Sequence, residues 1–169
     1  MRIMIIGYSG SGKSTLARIL AEFYHIPILH LDSLYFLPHW QERPRQEMVV
    51  ELDNFMKLNP SWVIDGNYTG VCYQERLDQA DQIIFMNFNR WSALFRAFRR
   101  YLKYKGKTRP DMGPDCQEKF DFEFIKWILK DGRGLKQTRN YQQILEDYPD
   151  KCLVIDNQKE LDIFVSTLI

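Results

Sequence analysis

The sequence predicts an α/β fold, a parallel sheet with helices on both faces. Three observations carry that prediction. Short runs rich in isoleucine and valine alternate with segments whose apolar residues recur at helical spacing. The first run, "RIMII" (2–6), passes through a glycine-rich loop directly into an amphipathic segment. The chain has 169 residues, 45% of them apolar and 27% charged, which suits one domain with a substantial core.

The elements follow in order. "RIMII" has the continuous apolar character of a strand buried on both faces. From Lys13 onward, Leu16, Ile19, Leu20 and Phe23 share one helical side, with Arg18 and Glu22 opposite. "IPILHLD" (26–32) reads as a second strand, with Pro27 confined to its beginning. A helix is predicted over 44–58, Pro44 standing in its first turn. "SWVIDG" (61–66) and "DQIIFMNF" (81–88) supply a third and a fourth strand. The next helix covers 91–104, with Trp91, Leu94, Phe95, Phe98, Tyr101 and Leu102 as its apolar, core-facing side. The polar, Gly- and Pro-marked "KGKTRPDMGPD" (105–115) precedes a helix over 117–131. "KCLVID" (151–156) is a fifth strand and 158–167 a closing helix. Residues 1–169 thus read as a single domain, with a lid segment around 100–118.

Composition narrows the function classes. A formal net charge of +1 predicts neither a nucleic-acid nor a membrane partner. No apolar run reaches the roughly 20 residues of a membrane span, and the short "IMII" lacks the features of a signal peptide. Cys72, Cys116 and Cys152 are odd in number and widely spaced, so neither a disulfide framework nor a zinc pair is expected. A reducing cytoplasm is the expected compartment. His25, His30 and His39 show no metal-ligand spacing and read as structural. Trp40 and Trp62 read as core or cleft-lining aromatics.

The loop "GYSGSGKS" has the Walker A spacing, Gly7-x4-Gly12-Lys13-Ser14. Glycines adopt torsions barred to other residues, which lets successive N–H groups turn inward around phosphate oxygens. The helix N-terminus that follows adds free donors and partial positive charge. Gly7, Ser9, Gly10, Ser11, Gly12, Lys13, Ser14 and Thr15 are therefore the predicted nucleotide-binding residues. Lys13 would reach the β- and γ-phosphates, and the Ser14 hydroxyl would hold Mg²⁺.

Guanine- and switch-type signals are weak. "DGRG" (131–134) ends a helix instead of leaving a strand, and "NQKE" (157–160) fails a base-recognition pattern at both informative positions. A small kinase fits better. Asp32 and Asp65 close the second and third strands, at the sheet edge where the phosphate loop opens. Asp65, after "WVI", is a Walker-B-type carboxylate for Mg²⁺. Asp32 suits orientation or deprotonation of an acceptor hydroxyl, and it equally suits a helix cap. Arg90, Arg96, Arg99, Arg100, Lys103, Lys105, Lys107 and Arg109 occur with no acidic residue among them. Such a cluster fits a closing lid that stabilises the transferring charge; a solvated basic face or a nucleic-acid surface uses the same residues. Arg109 is the first choice for a phosphate contact and Arg100 the second. Arg133 and Arg139 suit an approach from the far side, and they equally suit a solvated surface.

Together, "GYSGSGKSTLAR", "IPILHLD", Trp40, "WVIDGNY", "ERLDQADQIIFM", "RRYLKYKGKTRPDM" and "CQEKFDFEFIKWI" resemble the bacterial proteins labelled DNA topology modulation proteins. These are adenylate-kinase-like P-loop proteins, and the likeness runs over nearly the whole chain. It implies a five-stranded parallel sheet in the order 2-3-1-4-5 with a small helical lid. It also implies ATP with Mg²⁺ at Gly10 to Thr15, with Lys13 and Ser14 as the key side chains. Adenylate kinases follow their Asp-Gly with Phe-Pro-Arg; here Asn67-Tyr68 follows and the next arginine is Arg76. AMP is therefore not the expected acceptor. With Cys116 alone in the lid segment, no zinc is expected.

The expected activity is transfer of the γ-phosphoryl group of ATP to a small-molecule or nucleotide acceptor. That acceptor would lie between Asp32, residues 33–40, Asn67, Tyr68 and Arg76. The alternative is an ATP-binding regulator that affects DNA topology indirectly, direct DNA binding not being expected.

Overall fold

The computed structural model describes residues 1–168. Five parallel strands form the central sheet: β1 (Arg2–Gly7), β2 (Ile28–His30), β5 (Trp62–Asp65), β6 (Gln82–Met86) and β7 (Cys152–Ile155). Their spatial order is β2-β5-β1-β6-β7, the 2-3-1-4-5 order of the resemblance when these strands alone are counted. Two short antiparallel strands, β3 (Phe36–Leu37) and β4 (Gln41–Glu42), make a separate hairpin beside the sheet.

Alternation along the central strands divides the core into two layers. Met4 and Ile6 of β1 point to one face, with Ile64, Ile83 and Phe85. That face is covered by Met48, Leu52 and Met56 of α3 (Arg45–Leu58) and by Tyr141 and Ile144 of α7 (Leu135–Asp147). Ile3 and Ile5 point the other way, with Val63, Ile84 and Met86. Leu16, Ala17, Leu20 and Ala21 of α1 (Lys13–Tyr24) and Leu161 of α8 (Gln158–Ser166) close over them. Leu16 and Leu20 thus face the sheet as their spacing predicts, whereas Phe23 is 45% exposed and packs edge-on against Tyr24.

Four departures from the sequence reading matter for the site. The second strand stops at His30, and Asp32 lies in the first turn of α2 (Leu31–Tyr35). Two helices stand where none is predicted, α4 (Tyr73–Gln79) and α7. The helix expected over 117–131 is shorter, α6 (Phe122–Leu129), because the Asp121 side chain caps it by accepting from Phe124 N–H at 2.8 Å. Finally, most of the apolar side of α5 (Arg90–Tyr104) turns away from the core, while Leu94 packs on the Ala93, Ala97 and Ile128 cluster. Trp91, Phe95, Phe98 and Leu102 are 67, 60, 41 and 57% exposed, and Ala93 and Ala97 are the buried positions. Small residues are needed there because α5 packs closely on the phosphate loop: a Cβ on Gly10 would collide with the Ala93 carbonyl.

Candidate active site

The phosphate loop joins β1 to α1 at the carboxyl edge of the sheet. Gly10 and Gly12 have φ of +79° and +96°, a region that favours glycine. At Gly12 a Cβ would meet only the movable end of the Arg96 side chain, so it is the positive φ that favours glycine there. Lys13 Nζ donates to the carbonyls of Gly7 and Tyr8, both at 3.1 Å, and so lies folded along the loop. Burial pushes its ammonium pKa down, and Arg100 and Arg109 push the same way against Asp32 and Asp65. The Ser11 hydroxyl is buried and has no hydrogen-bond partner among the described residues. Ser9 Oγ accepts from Trp127 Nε1 at 3.1 Å, which ties the loop to α6, and Thr15 is exposed on the first turn of α1.

Ser14 Oγ donates to Asp65 Oδ2 at 2.9 Å. Asp65 is only 4% exposed, and its other oxygen is held by His30 Nδ1. Register explains the second contact, since β2 and β5 pair in parallel with His30 beside Asp65. Asp111 also lies near Ser14. Burial alone would raise its carboxyl pKa, but Arg109 and Ser14 outweigh that and hold it below the usual carboxylate range. A hydroxyl bonded to one buried carboxylate with a second nearby, at the mouth of a glycine cradle, is a donor set that fits Mg²⁺ with a nucleotide phosphate.

Beyond the end of β5, Tyr68 OH donates to Asp32 Oδ1 at 2.7 Å. Burial, and then the Asp32 charge, raise the phenol pKa. Tyr35 stacks obliquely on Tyr68 with ring centroids 5.1 Å apart. Asn67 and Arg76 serve the backbone in this conformation. The Asn67 amide accepts from Gly7 N–H at 3.1 Å and donates to Gly7 C=O at 2.9 Å, fixing the start of the phosphate loop. Arg76 is fully buried and donates to the carbonyls of Gly66, Asn67 and Tyr68. Its desolvated guanidinium is pushed down to about 10.

Above the loop lies the segment between α5 and α6. Arg100 Nε donates to Glu118 Oε1 at 2.7 Å, and Arg109 pairs with Glu118 Oε2 at 2.6 Å and with Asp111 Oδ2 at 3.2 Å. Burial lowers the Arg100 guanidinium pKa, with Arg109 adding to it. Asp111 also faces Arg18 of α1 at 3.7 Å. Cys116 Sγ reaches the Leu37 carbonyl at 3.3 Å, and Lys119 sits over the Trp40 ring, so this segment is docked on the β3–β4 hairpin. Arg133 donates to the carbonyls of Ile128 and Phe88 and lies 3.9 Å from the Tyr8 ring centroid, while Arg139 is exposed.

No family model matches the chain. An 83-residue stretch, 49% of the chain, is 29% identical to an adenylate kinase of Bartonella henselae and spans 41% of that protein. Among solved structures, a shikimate kinase of Acinetobacter baumannii in complex with shikimate aligns with a TM-score of 0.61 at 18% identity, covering 99% of this chain and 90% of that one. A deoxyadenosine kinase of M. mycoides, with products dCMP and dCDP bound, gives 0.52 at 14% identity over 99% and 98%. A protein of Eubacterium ventriosum titled as uncharacterized gives 0.53 at 20% identity over 99% and 98%. The chain has the fold of the P-loop kinases.

Within that fold, the structure gathers Lys13, Ser14, Asp32, Asp65, Arg100 and Arg109 at one edge of the sheet. Three members of the cluster are missing from the sequence reading: His30, Asp111 and Glu118. The one sequence signal at His30 is its place two residues before Asp32; its contact with Asp65 follows from the parallel register of β2 with β5, which the sequence does not specify. Asp111 and Glu118 carry none as strong. They are ordinary acidic residues until the chain between α5 and α6 brings them against arginines.

Proposed function

We propose that this protein is an ATP-dependent phosphotransferase that moves the γ-phosphoryl group to a small-molecule or nucleotide acceptor. The observation that carries the reading is the meeting of three cations (Lys13, Arg100 and Arg109) with the Ser14–Asp65 pair and Asp32 at the mouth of one glycine loop. Phosphoryl transfer asks chiefly for positioning and for charge stabilisation around the moving group, and such a cluster supplies both.

Gly7, Ser9, Gly10, Ser11, Gly12, Lys13, Ser14 and Thr15 would bind the nucleotide phosphates. Ser14 and Asp65 would hold Mg²⁺, with His30 fixing the Asp65 carboxylate from behind. The ion would neutralise phosphate charge and template the in-line geometry. Asp32 would accept a hydrogen bond from the acceptor hydroxyl and then its proton, the acceptor displacing Tyr68 from Oδ1. Asn67 and Arg76 would act on the acceptor through the 66–68 turn that they hold, and Tyr68 through Asp32.

The shikimate complex and the deoxyadenosine kinase suggest a hydroxylated acceptor, and shikimate-like polyols and deoxynucleosides belong first in the panel. Membership of the DNA-topology-labelled group is part of this proposal and rests on the shared segments quoted above. The activity proposed is transfer to a diffusible acceptor in the cytoplasm. Among the described residues no helix is long and apolar enough to cross a membrane.

The test is transfer of labelled γ-phosphate from ATP with Mg²⁺ to nucleosides, nucleotides and hydroxylated metabolites, with Lys13→Ala alongside. A labelled product made only by the wild-type chain is expected. An acceptor phosphorylated equally fast by Lys13→Ala would remove this site from the reaction.

A further inference from the structure

Glu118 is 3% exposed, and both of its carboxylate oxygens are taken by arginines. Oε1 accepts from Arg100 Nε at 2.7 Å, and Oε2 lies 2.6 Å from Arg109 Nε. The two arginines come from different places: Arg100 from the C-terminal half of α5, Arg109 from the loop that follows. Backbone pairing brings Glu118 to both. Thr108 and Gln117 form an antiparallel bridge, and the Glu118 N–H donates to Lys107 C=O at 3.1 Å.

Which edge of each guanidinium is used is informative. Glu118 meets Nε in both cases, through a hydrogen bond at Arg100 and through a close ion pair without hydrogen-bond geometry at Arg109. Among the described residues, neither terminal nitrogen of Arg100 has a hydrogen-bond partner, and neither does Nη2 of Arg109. With Nε engaged, the free terminal nitrogens are the donors left to meet an oxyanion, two on Arg100 and one on Arg109. The two arginines and Lys13 also feel one another's charge, and two guanidiniums so close together would repel without a carboxylate between them. Asp111 takes a different edge, Nη1 of Arg109, and also lies near Ser14 and Arg18. It therefore occupies a position for which an incoming phosphate competes, whereas Glu118 does not.

We infer that Glu118 is the positioning residue of the lid: it binds Arg100 and Arg109 by their Nε edges as one unit, so that their free terminal nitrogens meet the transferring phosphoryl group together with Lys13. The inference rests on the kinase reading of the site. It differs from a merely structural role for Glu118 in a measurable way. A clasp that only closes the lid affects stability; a residue that aims two arginines at the γ-phosphate affects turnover and the preference for a triphosphate.

The test is Glu118→Gln, which keeps the shape and removes the charge. It is read by kcat and KM on the acceptor found above, and by calorimetric affinity for a non-hydrolysable ATP analogue against ADP, with Mg²⁺. We expect kcat to fall by about tenfold or more, the KM for acceptor to stay near the wild-type value, and the preference for the ATP analogue over ADP to shrink at least severalfold. Glu118→Asp, too short to span both arginines, should recover part of each loss; if Glu118→Gln does not fold, the same readouts on Glu118→Asp, both below wild type, carry the test. A folded Glu118→Gln with unchanged kcat and unchanged preference overturns the inference, whatever its melting temperature. If the wild-type chain binds both nucleotides and phosphorylates nothing, the kinase reading fails, and Glu118 is judged by the preference alone. A wild-type chain that binds neither nucleotide, or binds both equally, overturns the inference outright.

Discussion

Asp32 and Asp65 look alike in sequence, each closing a strand-like run, yet their surroundings give them different tasks. Asp65 is nearly buried, and both oxygens are engaged, by Ser14 and by His30. It is therefore fixed in place, as the metal-holding role proposed for it requires. Asp32 has a single side-chain donor, Tyr68 OH, and one oxygen left for a substrate. Removing its basicity with Asp32→Asn should lower turnover by about 100-fold, within the usual range for a general base. Tyr68→Phe should cost less and should act mainly through KM, because Asp32 keeps its charge and loses only its restraint. Steady-state kinetics on the two variants separates these cases, and an Asp32→Asn enzyme with wild-type turnover would take Asp32 out of the chemistry. The phosphate loop is legible in sequence because its motif specifies backbone torsion directly, through Gly10 and Gly12. His30 is not, since its contact depends on the parallel register of β2 with β5.

Among the elements, α5 shows most clearly what periodicity leaves open. Its apolar residues do form a stripe at helical spacing, Trp91, Phe95, Phe98 and Leu102, but that stripe is exposed. An amphipathic pattern says that two faces differ; it does not say which one the neighbours can approach. Here the neighbours are the loop at Gly10 and Phe124 and Ile128 of α6, and they admit only Ala93 and Ala97. Arg96 and Arg100 lie beside these alanines, which is how a helix rich in cations brings two of them toward the phosphate loop. The consequence is a reversal of the usual ranking by size. Phe95→Ser should change stability by no more than about 0.5 kcal/mol, as exposed substitutions do. Ala97→Leu should cost about 1–3 kcal/mol by overpacking. Urea unfolding of the two variants checks the order, and a larger loss for Phe95→Ser would mean that the stripe is buried after all.

At the scale of the whole molecule, the two parts of the site are held by different forces. The sheet and its flanking helices are secured by two apolar layers, in which Ile3, Met4, Ile5 and Ile64 are wholly buried. Between α5 and α6, by contrast, the chain is anchored mainly by charge: Arg100 and Arg109 on Glu118, Asp111 on Arg109 and Arg18, and Lys119 over Trp40. A segment with few buried apolar contacts opens locally at a lower free energy than the fold as a whole. Amides of residues 108–118 should therefore exchange with deuterated solvent orders of magnitude faster than those of β1 and β6. ATP with Mg²⁺, binding beneath this segment, should slow that exchange, because each opening would have to release the nucleotide. At 100 times Kd the ligand stabilises the bound state by about 2.7 kcal/mol, which is about a hundredfold in exchange. Removing Mg²⁺ with a chelator should return most of the difference, since Ser14 and Asp65 then lose the ion that joins them to the phosphates. Exchange mass spectrometry with and without the nucleotide decides the matter. If 108–118 exchanges as slowly as β6 in the free protein, the segment belongs to the rigid body and acts as a fixed roof over the loop. If it exchanges quickly and nucleotide leaves it unchanged, Arg100 and Arg109 do not meet the phosphates.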